Sequence, residues 1–361
     1  MKNKLLVINP GSTSTKLAVY QHSNLLWQAN IEHSAQVLSD FPTIYAQLDM
    51  RYQHILQALE EHGDKLEELV AVVARGGLLP PVSAGAYEVN PEMLEVLEHN
   101  PVNHHASNLG AALAYRIAHP LNIKAYIYDP VTVDEMIDIV RITGLKEVMR
   151  HGQGHNLNMR AAALHFCREQ SLDYKDVNLI VCHLGGGITL SLHSHGRIID
   201  MVSDDDGAFS PERAGGIPAF RLAKLACAKP YPVVMKQLQR NGGLVSHLGT
   251  TDVRTVEKMI DDGNEYAHLV YESMALAVSR CIAKLAVVVD GAVDAVILTG
   301  GIAYSERFTS MITKRVSFLA PVHILPGENE MQALMEGAMR VLRGEEPSHV
   351  FHKEEPLNAT V

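Results

Sequence analysis

The chain has little of what would mark it as secreted, membrane-spanning or bound to nucleic acid. Only 4 cysteines occur among 361 residues, at Cys167, Cys182, Cys227 and Cys281. None forms a C-x-x-C pair, which excludes a disulfide scaffold and points to buried free thiols in a reducing cytoplasm. No apolar run approaches the roughly 18 residues that cross a bilayer. Pro10, Gly11 and the hydroxyl residues after them interrupt the N-terminal apolar run too early for a signal peptide. Positive charge is also short, with 31 Lys and Arg against 41 Asp and Glu for a net charge of -10. No basic block stands out, so neither nucleic acid nor an anionic membrane is an expected partner, and any anion site must be local. The nucleophile elbow G-x-S-x-G and the zinc motif H-E-x-x-H are missing as well, which leaves serine-hydrolase and zinc-protease chemistry without support.

What is present is a set of three glycine-rich turns, each following a strand-like apolar run. Leu5-Leu-Val-Ile8 leads into Asn9-Pro-Gly-Ser-Thr-Ser-Thr-Lys16, Leu179-Ile-Val-Cys182 into His183-Leu-Gly-Gly-Gly187, and Ala295-Val-Ile-Leu298 into Thr299-Gly-Gly-Ile302. Small residues at such a turn let the main chain come close to phosphate oxygens. One turn of this kind is ordinary, whereas three suggest a polyphosphate held from several sides. Neither the Walker A spacing nor the dinucleotide fingerprint occurs at these turns. The first two read alike, as strand, small-residue turn and alternating strand, so the pattern also implies a duplicated domain.

A length of 361 residues with 47% hydrophobic residues is enough for two cores. Strand and helix patterns alternate, which implies mixed sheets covered by helices. Strands are expected at 69–73 and 124–128, and helices at 45–61, 91–98, 106–117, 131–148 and 158–169. Helices dominate from 220 to 289, another is expected from 305, and 331–342 is the last regular element expected before a charged, loose tail. Polar groups collect at the strand ends and turns: Asn9, Ser12, Ser14, Lys16, Arg75, Asp129, His151, His183, Arg213 and Glu330. Taken singly each has an ordinary explanation. An Asp before Pro is a turn former, His151 can be solvated, and Arg213 can pair with Glu212 or a neighbouring Asp on the surface. Together they supply the cations, donors and carboxylates that phosphoryl transfer with Mg²⁺ demands.

The chain resembles the butyrate kinases, within the acetate kinase branch of the superfamily of sugar kinases, actin and heat-shock ATPases. The motifs that carry the resemblance run in the family's order over most of the chain. Besides the three turns they are Ala74-Arg-Gly-Gly-Leu-Leu79, His105-Ala-Ser-Asn-Leu-Gly110, Tyr128-Asp-Pro-Val-Thr-Val-Asp-Glu-Met136, Arg150-His-Gly-Gln-Gly-His-Asn156, Phe209-Ser-Pro-Glu-Arg-Ala-Gly-Gly216 and Asn329-Glu330. The resemblance implies an α/β, duplicated actin-like ATPase (ribonuclease H-like) fold with an interdomain nucleotide cleft. The expected domains are 1–130 plus 331–361 for the acyl-kinase part and 131–330 for the nucleotide-binding part.

It further implies that Asn9, Ser12, Ser14 and Lys16 lie near the transferred phosphoryl group and that His183 with Gly185, Gly186 and Gly187 forms the β-phosphate loop. Gly300, Gly301 and Ile302 would border the adenosine. Arg75, Asp129, His151 and Arg213 would be catalytic, and Asn9 and Glu330 would place Mg²⁺. Two departures stand out: Arg75 occupies the position of a His in acetate kinases, with Val72 where they have Arg, and Ala74 replaces a Gly of butyrate kinases. The implied reaction is reversible transfer from ATP to butanoate. Acetate, propionate or a branched acid are the alternatives, and a nucleotide-dependent binding module on the same fold is a rival of another class. A short acid is already ionised at neutral pH, so it needs no general base, and Asp129 reads as a group that positions Mg²⁺ or its water. The apolar helical stretch 220–289 would support a homo-oligomer.

Overall fold

The computed structural model describes residues 2–353. The described residues form two compact units, one built from the chain up to Asp134 together with the chain from Asn329, the other from Glu135–Glu328. The strands of the first unit are β1 (Lys4–Pro10), β2 (Ser14–Gln21), β3 (Asn24–Glu32), β4 (Leu69–Arg75), β5 (Ala86–Glu88) and β6 (Lys124–Tyr128). Those of the second are β7 (Leu179–Leu184), β8 (Ile188–Ser194), β9 (Arg197–Val202), β10 (Ala295–Gly300) and β11 (Val322–Pro326). β12 (Ser348–Val350) returns to the first sheet.

The first sheet has the order β12-β5-β6-β4-β1-β2-β3 and the second β11-β10-β7-β8-β9. In both, an antiparallel meander of three strands is followed by two strands that extend the sheet in parallel. β1 pairs antiparallel with β2 and parallel with β4, as β7 does with β8 and β10. The five strands β6-β4-β1-β2-β3 thus repeat strand for strand as β11-β10-β7-β8-β9, the duplication that the first two turns suggested. Central position explains the sequences. β1 and β7 are apolar runs buried on both faces, as strands covered by helices on either side must be. β3 lies at an edge and alternates between half-buried and exposed residues.

Helices Leu48–Glu61, Pro91–His99 and Leu109–Ala118 connect strands of the first unit, and Glu265–Ala286 and Glu306–Val316 do so in the second. Glu265–Ala286 lays Tyr271, Met274, Val278, Ile282 and Leu285 into the second core, a helical spacing of apolar residues worth roughly 1.5–3 kcal/mol per fully buried large side chain. Helix Glu330–Leu342 packs on β1, β4 and β6. It approaches closely because Gly337 has no side chain: a Cβ there would meet the Tyr128 ring at 2.6 Å.

Three local expectations are corrected. Only Asp138–Arg141 is helical within 131–148; Val133 bridges to Val82 instead, and the Thr143 hydroxyl caps the turn at Leu145. The tail is not loose throughout. Ser348–Val350 pairs in parallel with β5, and the charge of Glu346 is answered by Arg340 at 3.0 Å and by the Tyr128 hydroxyl at 2.7 Å. Beyond residue 353 the tail lies outside the described residues. Cys167, Cys182 and Cys281 are buried, but Cys227 is exposed on helix Ala219–Ala228, which buries none of its residues. Among the described residues no helix is long and apolar enough to cross a membrane.

Candidate functional site

In the first unit the polar groups gather at the C-terminal ends of the parallel strands, where open α/β sheets bind their ligands. Asn9 ends the apolar part of β1 and is 4% exposed. Its amide nitrogen donates to the Glu330 carboxylate at 2.6 Å, and its buried Oδ1 has no partner. Arg75 closes β4 and reaches the other Glu330 oxygen at 3.2 Å, so one carboxylate spans Asn9 and Arg75. Asp129 follows β6 with φ at 40°, a backbone region that a non-glycine residue enters at a cost. It is buried, and its Oδ1 accepts from the Gly85 N–H at 2.7 Å.

The first glycine turn is closed by the Gly11 N–H on the Ser14 carbonyl at 2.8 Å. Ser12 is exposed at its tip, and Ser14 is partly so. Register places Lys16 directly across from Asn9, with Lys16 exposed. His105 lies close enough for the Arg75 charge to matter: burial, and then that charge, hold its pKa below the ordinary value.

In the second unit His183 lies near the end of β7, which is buried throughout. It is 1% exposed, its Nε2 lies 3.1 Å from the Glu328 carboxylate, and its Nδ1 is buried without a partner. The His155 ring stacks on it with centroids 4.0 Å apart, and His155 Nδ1 is anchored to the Thr189 hydroxyl at 2.9 Å. Beyond His183, the Gly185 N–H bonds the Gly187 carbonyl at 3.1 Å. Arg213 lies directly on Gly187, where a Cβ would sit 3.1 Å from its Nε, a tight contact that would press the guanidinium aside. The Ser210 hydroxyl donates to the Gly186 carbonyl at 2.6 Å, fixing the arginine's loop to the glycine turn. Arg213 pairs with Asp204, while its buried Nε has no partner; burial lowers its pKa.

The second and third glycine turns share one cavity of about 670 Å³, lined by Gly185, Gly186, Glu212, Asp252, Arg254, Glu257, Gly301, Ile302, Tyr304 and Ser305. Gly300 adopts a φ of 90° in which a Cβ would strike the Leu184 carbonyl oxygen at 2.5 Å. Only glycine fits there. The size and mixed polarity of the cavity suit a nucleotide.

The structure therefore brings together Asn9, Arg75 and Glu330 in one unit, and His183, Gly185–Gly187, Arg213, Gly301 and Ile302 in the other. His151 is exposed in its loop, and its neighbour Arg150 is tethered, bound to Asp200 at 3.0 Å and Asp206 at 3.2 Å. Asp204 is the neighbouring Asp offered as a partner for Arg213, whereas sequence reasoning missed Thr189, Glu328 and the Asp252, Arg254, Tyr304 wall. His155 had a signal, since it closes the glycine-flanked stretch 150–156. Among the described residues no three or more His, Cys, Asp or Glu side chains form a metal cluster. The orphaned, buried Asn9 Oδ1 beside the Glu330 carboxylate is nonetheless a pair of hard oxygen donors. That suits Mg²⁺, which takes one or two protein ligands and fills the rest with phosphate oxygens and water.

Two imidazoles outside the turns are held neutral. Burial, the Arg51 charge and His54 lower the pKa of His33 to about 4, and burial with the Arg160 charge lowers that of His193 to about 3. Unfolded histidine titrates near 6.5, so between about pH 6.5 and about 4 the unfolded chain binds protons that the folded protein does not. Stability therefore rises with pH across that window and is lost on acidification. Denaturant midpoints should drop from pH 7 to pH 5, and His33→Gln should shrink the drop. A midpoint equal at both pH values would contradict the assignment.

The repeated sheet with a glycine turn at the end of β1, β7 and β10 defines an actin-like ATPase fold. The acetate kinase of Porphyromonas gingivalis has this fold, superposing with a TM-score of 0.77 at 18% identity over 94% of this chain and 100% of that one. Butyrate kinase 2 of Clostridium acetobutylicum is 43% identical over 97% of this chain and 100% of its own length. A probable butyrate kinase of Coprothermobacter proteolyticus is 44% identical over 96% of this chain and 99% of its own. The model of the acetokinase family matches residues 137–322. The chain belongs to the acetokinase family, and is a phosphotransferase that uses a carboxyl group as acceptor.

Proposed function

We propose that the protein transfers the γ-phosphoryl group of ATP to butanoate, forming butanoyl phosphate and ADP, and runs the reverse reaction when the acyl phosphate is in excess. The observation that carries butanoate as the acceptor is the 43% and 44% identity, over nearly the whole chain, to proteins named as butyrate kinases. The geometry supports the reading by what it supplies. An ionised acid needs no base, and the site offers cations instead.

The nucleotide occupies the 670 Å³ cavity beside Gly301 and Ile302, with its phosphates along Gly185–Gly187. A butanoate oxygen attacks the γ-phosphorus in line as the bond to the ADP oxygen breaks. Arg213, with an Nε free to donate, meets the charge on the transferring group, as do Lys16 and His151, and Arg75 holds the acid's carboxylate. Charge placed beforehand in this way is the largest catalytic contribution that such a site makes. Asn9 and Glu330 would hold Mg²⁺, with Asp129 positioning it or its water. When bound, Mg²⁺ supplies neutralisation of the phosphate oxygens. The free cysteines support a cytoplasmic setting, and the fully exposed face of helix Ala219–Ala228 supports a homo-oligomer.

The test is trapping of acyl phosphate with hydroxylamine, using ATP, Mg²⁺ and acids of about two to six carbons. Butanoate should give the highest kcat/KM, with neighbours differing by one methylene lower by about 1–3 kcal/mol of transition-state binding. A profile peaking at acetate or at a branched acid would reassign the substrate, and no trapped product with any acid would defeat the reading.

A further inference from the structure

Arg51 is fully buried on helix Leu48–Glu61. A guanidinium out of water is costly unless paired, yet no carboxylate pairs with it among the described residues, and burial alone shifts its acidity. Its donors turn instead to the first glycine turn. Nη1 reaches the Gly11 and Ser14 carbonyls and the Thr15 hydroxyl, each at 3.0 Å, and Nη2 the Ser12 carbonyl at 3.4 Å. Gln47 accepts from Nε and Nη2 at 3.2 and 2.9 Å.

The flanking His33 adds no charge. His33, bonded to Thr15 at 2.9 Å and stacked on His54, is held neutral at pH 7 by its environment. The duplicated fold contains its own control. The corresponding Gly185–Gly187 turn has its carbonyl held by a neutral hydroxyl, that of Ser210, so shaping such a turn does not require a cation.

We propose that Arg51 is a positioning residue for phosphoryl transfer: it folds the turn Gly11–Thr15 over its guanidinium and sets an uncompensated positive charge behind the groups that meet the phosphoryl anion. The inference rests on the kinase reading for the identity of that anion. It extends the reading to a residue that touches no substrate.

The experiment uses the full chain, nitrogen-labelled, with inorganic phosphate as probe and the amide signals of Ser12 and Thr13 as readout. Arg51→Gln should weaken phosphate binding by about tenfold or more, while Arg51→Lys, which keeps the charge without the fork, should lose less than about threefold. The kcat for acyl phosphate formation should follow the same order, with the KM for ATP little changed. Phosphate affinity in the Gln variant equal to that of the wild type, or Lys as weak as Gln, would overturn the proposal. If thermal melts show the Gln variant unfolded, the Lys variant decides: binding kept within about threefold supports the proposal, and a greater loss overturns it. Phosphate binding that depends on Arg51 in a protein forming no acyl phosphate would refute the kinase reading and overturn the role in phosphoryl transfer, while sustaining Arg51 as the residue that shapes and charges an anion-binding turn.

Discussion

Arg213→Ala will lower kcat by about 10²–10³-fold, the loss seen when a preorganised donor to developing charge is removed, while the Kd for ADP changes little. The reasoning is geometric. The guanidinium lies against Gly187 rather than in the cavity lined by Gly301 and Tyr304, so the nucleotide keeps its contacts when the side chain goes. What is lost is a charge that matters most when the phosphoryl group is in transit, and such losses appear in kcat. Arg213→Lys should recover part of the rate through charge without the planar fork. Steady-state kinetics beside calorimetric ADP titration decide the matter, and a kcat within about threefold of wild type would assign Arg213 to loop structure alone.

Asp129→Asn is expected to reduce kcat by about 10²-fold or more and to raise the Mg²⁺ concentration needed for half-maximal rate. Asn is the informative substitution because it tolerates the positive φ of 40° at this position and keeps an oxygen for the Gly85 N–H. The fold should survive, and only the negative charge is removed. Since a carboxylate acceptor brings no proton to the reaction, the pH–rate profile should keep the acidic limb of the wild type. A variant with normal Mg²⁺ dependence that loses that limb would make Asp129 a general base, and would point to a hydroxyl acceptor in place of an acid.

The parts of this molecule that were legible in the sequence share one property: their signal is contiguous. β1, β7 and β10 are unbroken apolar runs ending in small residues, and for β1 and β7 the antiparallel partner lies one turn away. The cavity wall was illegible because Asp252 and Arg254 open helix Val253–Asp261 while Tyr304 ends the distant short helix Gly301–Tyr304, and only the packing of the second core brings them together. Arg51 was hidden for the opposite reason. An arginine in an amphipathic helix reads as its wet face, and nothing local reveals that a distant hairpin closes over it. The stretch 131–148 misled by its apolar spacing, for Ile139, Ile142, Leu145 and Val148 are exposed and no core recruits them.

The helix Glu330–Leu342 and the strand Ser348–Val350 belong to the sheet that begins the chain, and this sets an order of events during synthesis. The first sheet emerges from the ribosome early but lacks one edge strand, the helix that covers β1, β4 and β6, and the Glu330 carboxylate until the entire second unit has been made. The second unit is continuous and can fold while the first still waits with apolar surface uncovered, a state prone to aggregation. Because Glu330 arrives with that closing helix, Asn9 and Arg75 gain their shared carboxylate only when the sheet is finished. Premature termination after the second unit would then leave that unit folded and the first without the carboxylate that Asn9 and Arg75 share.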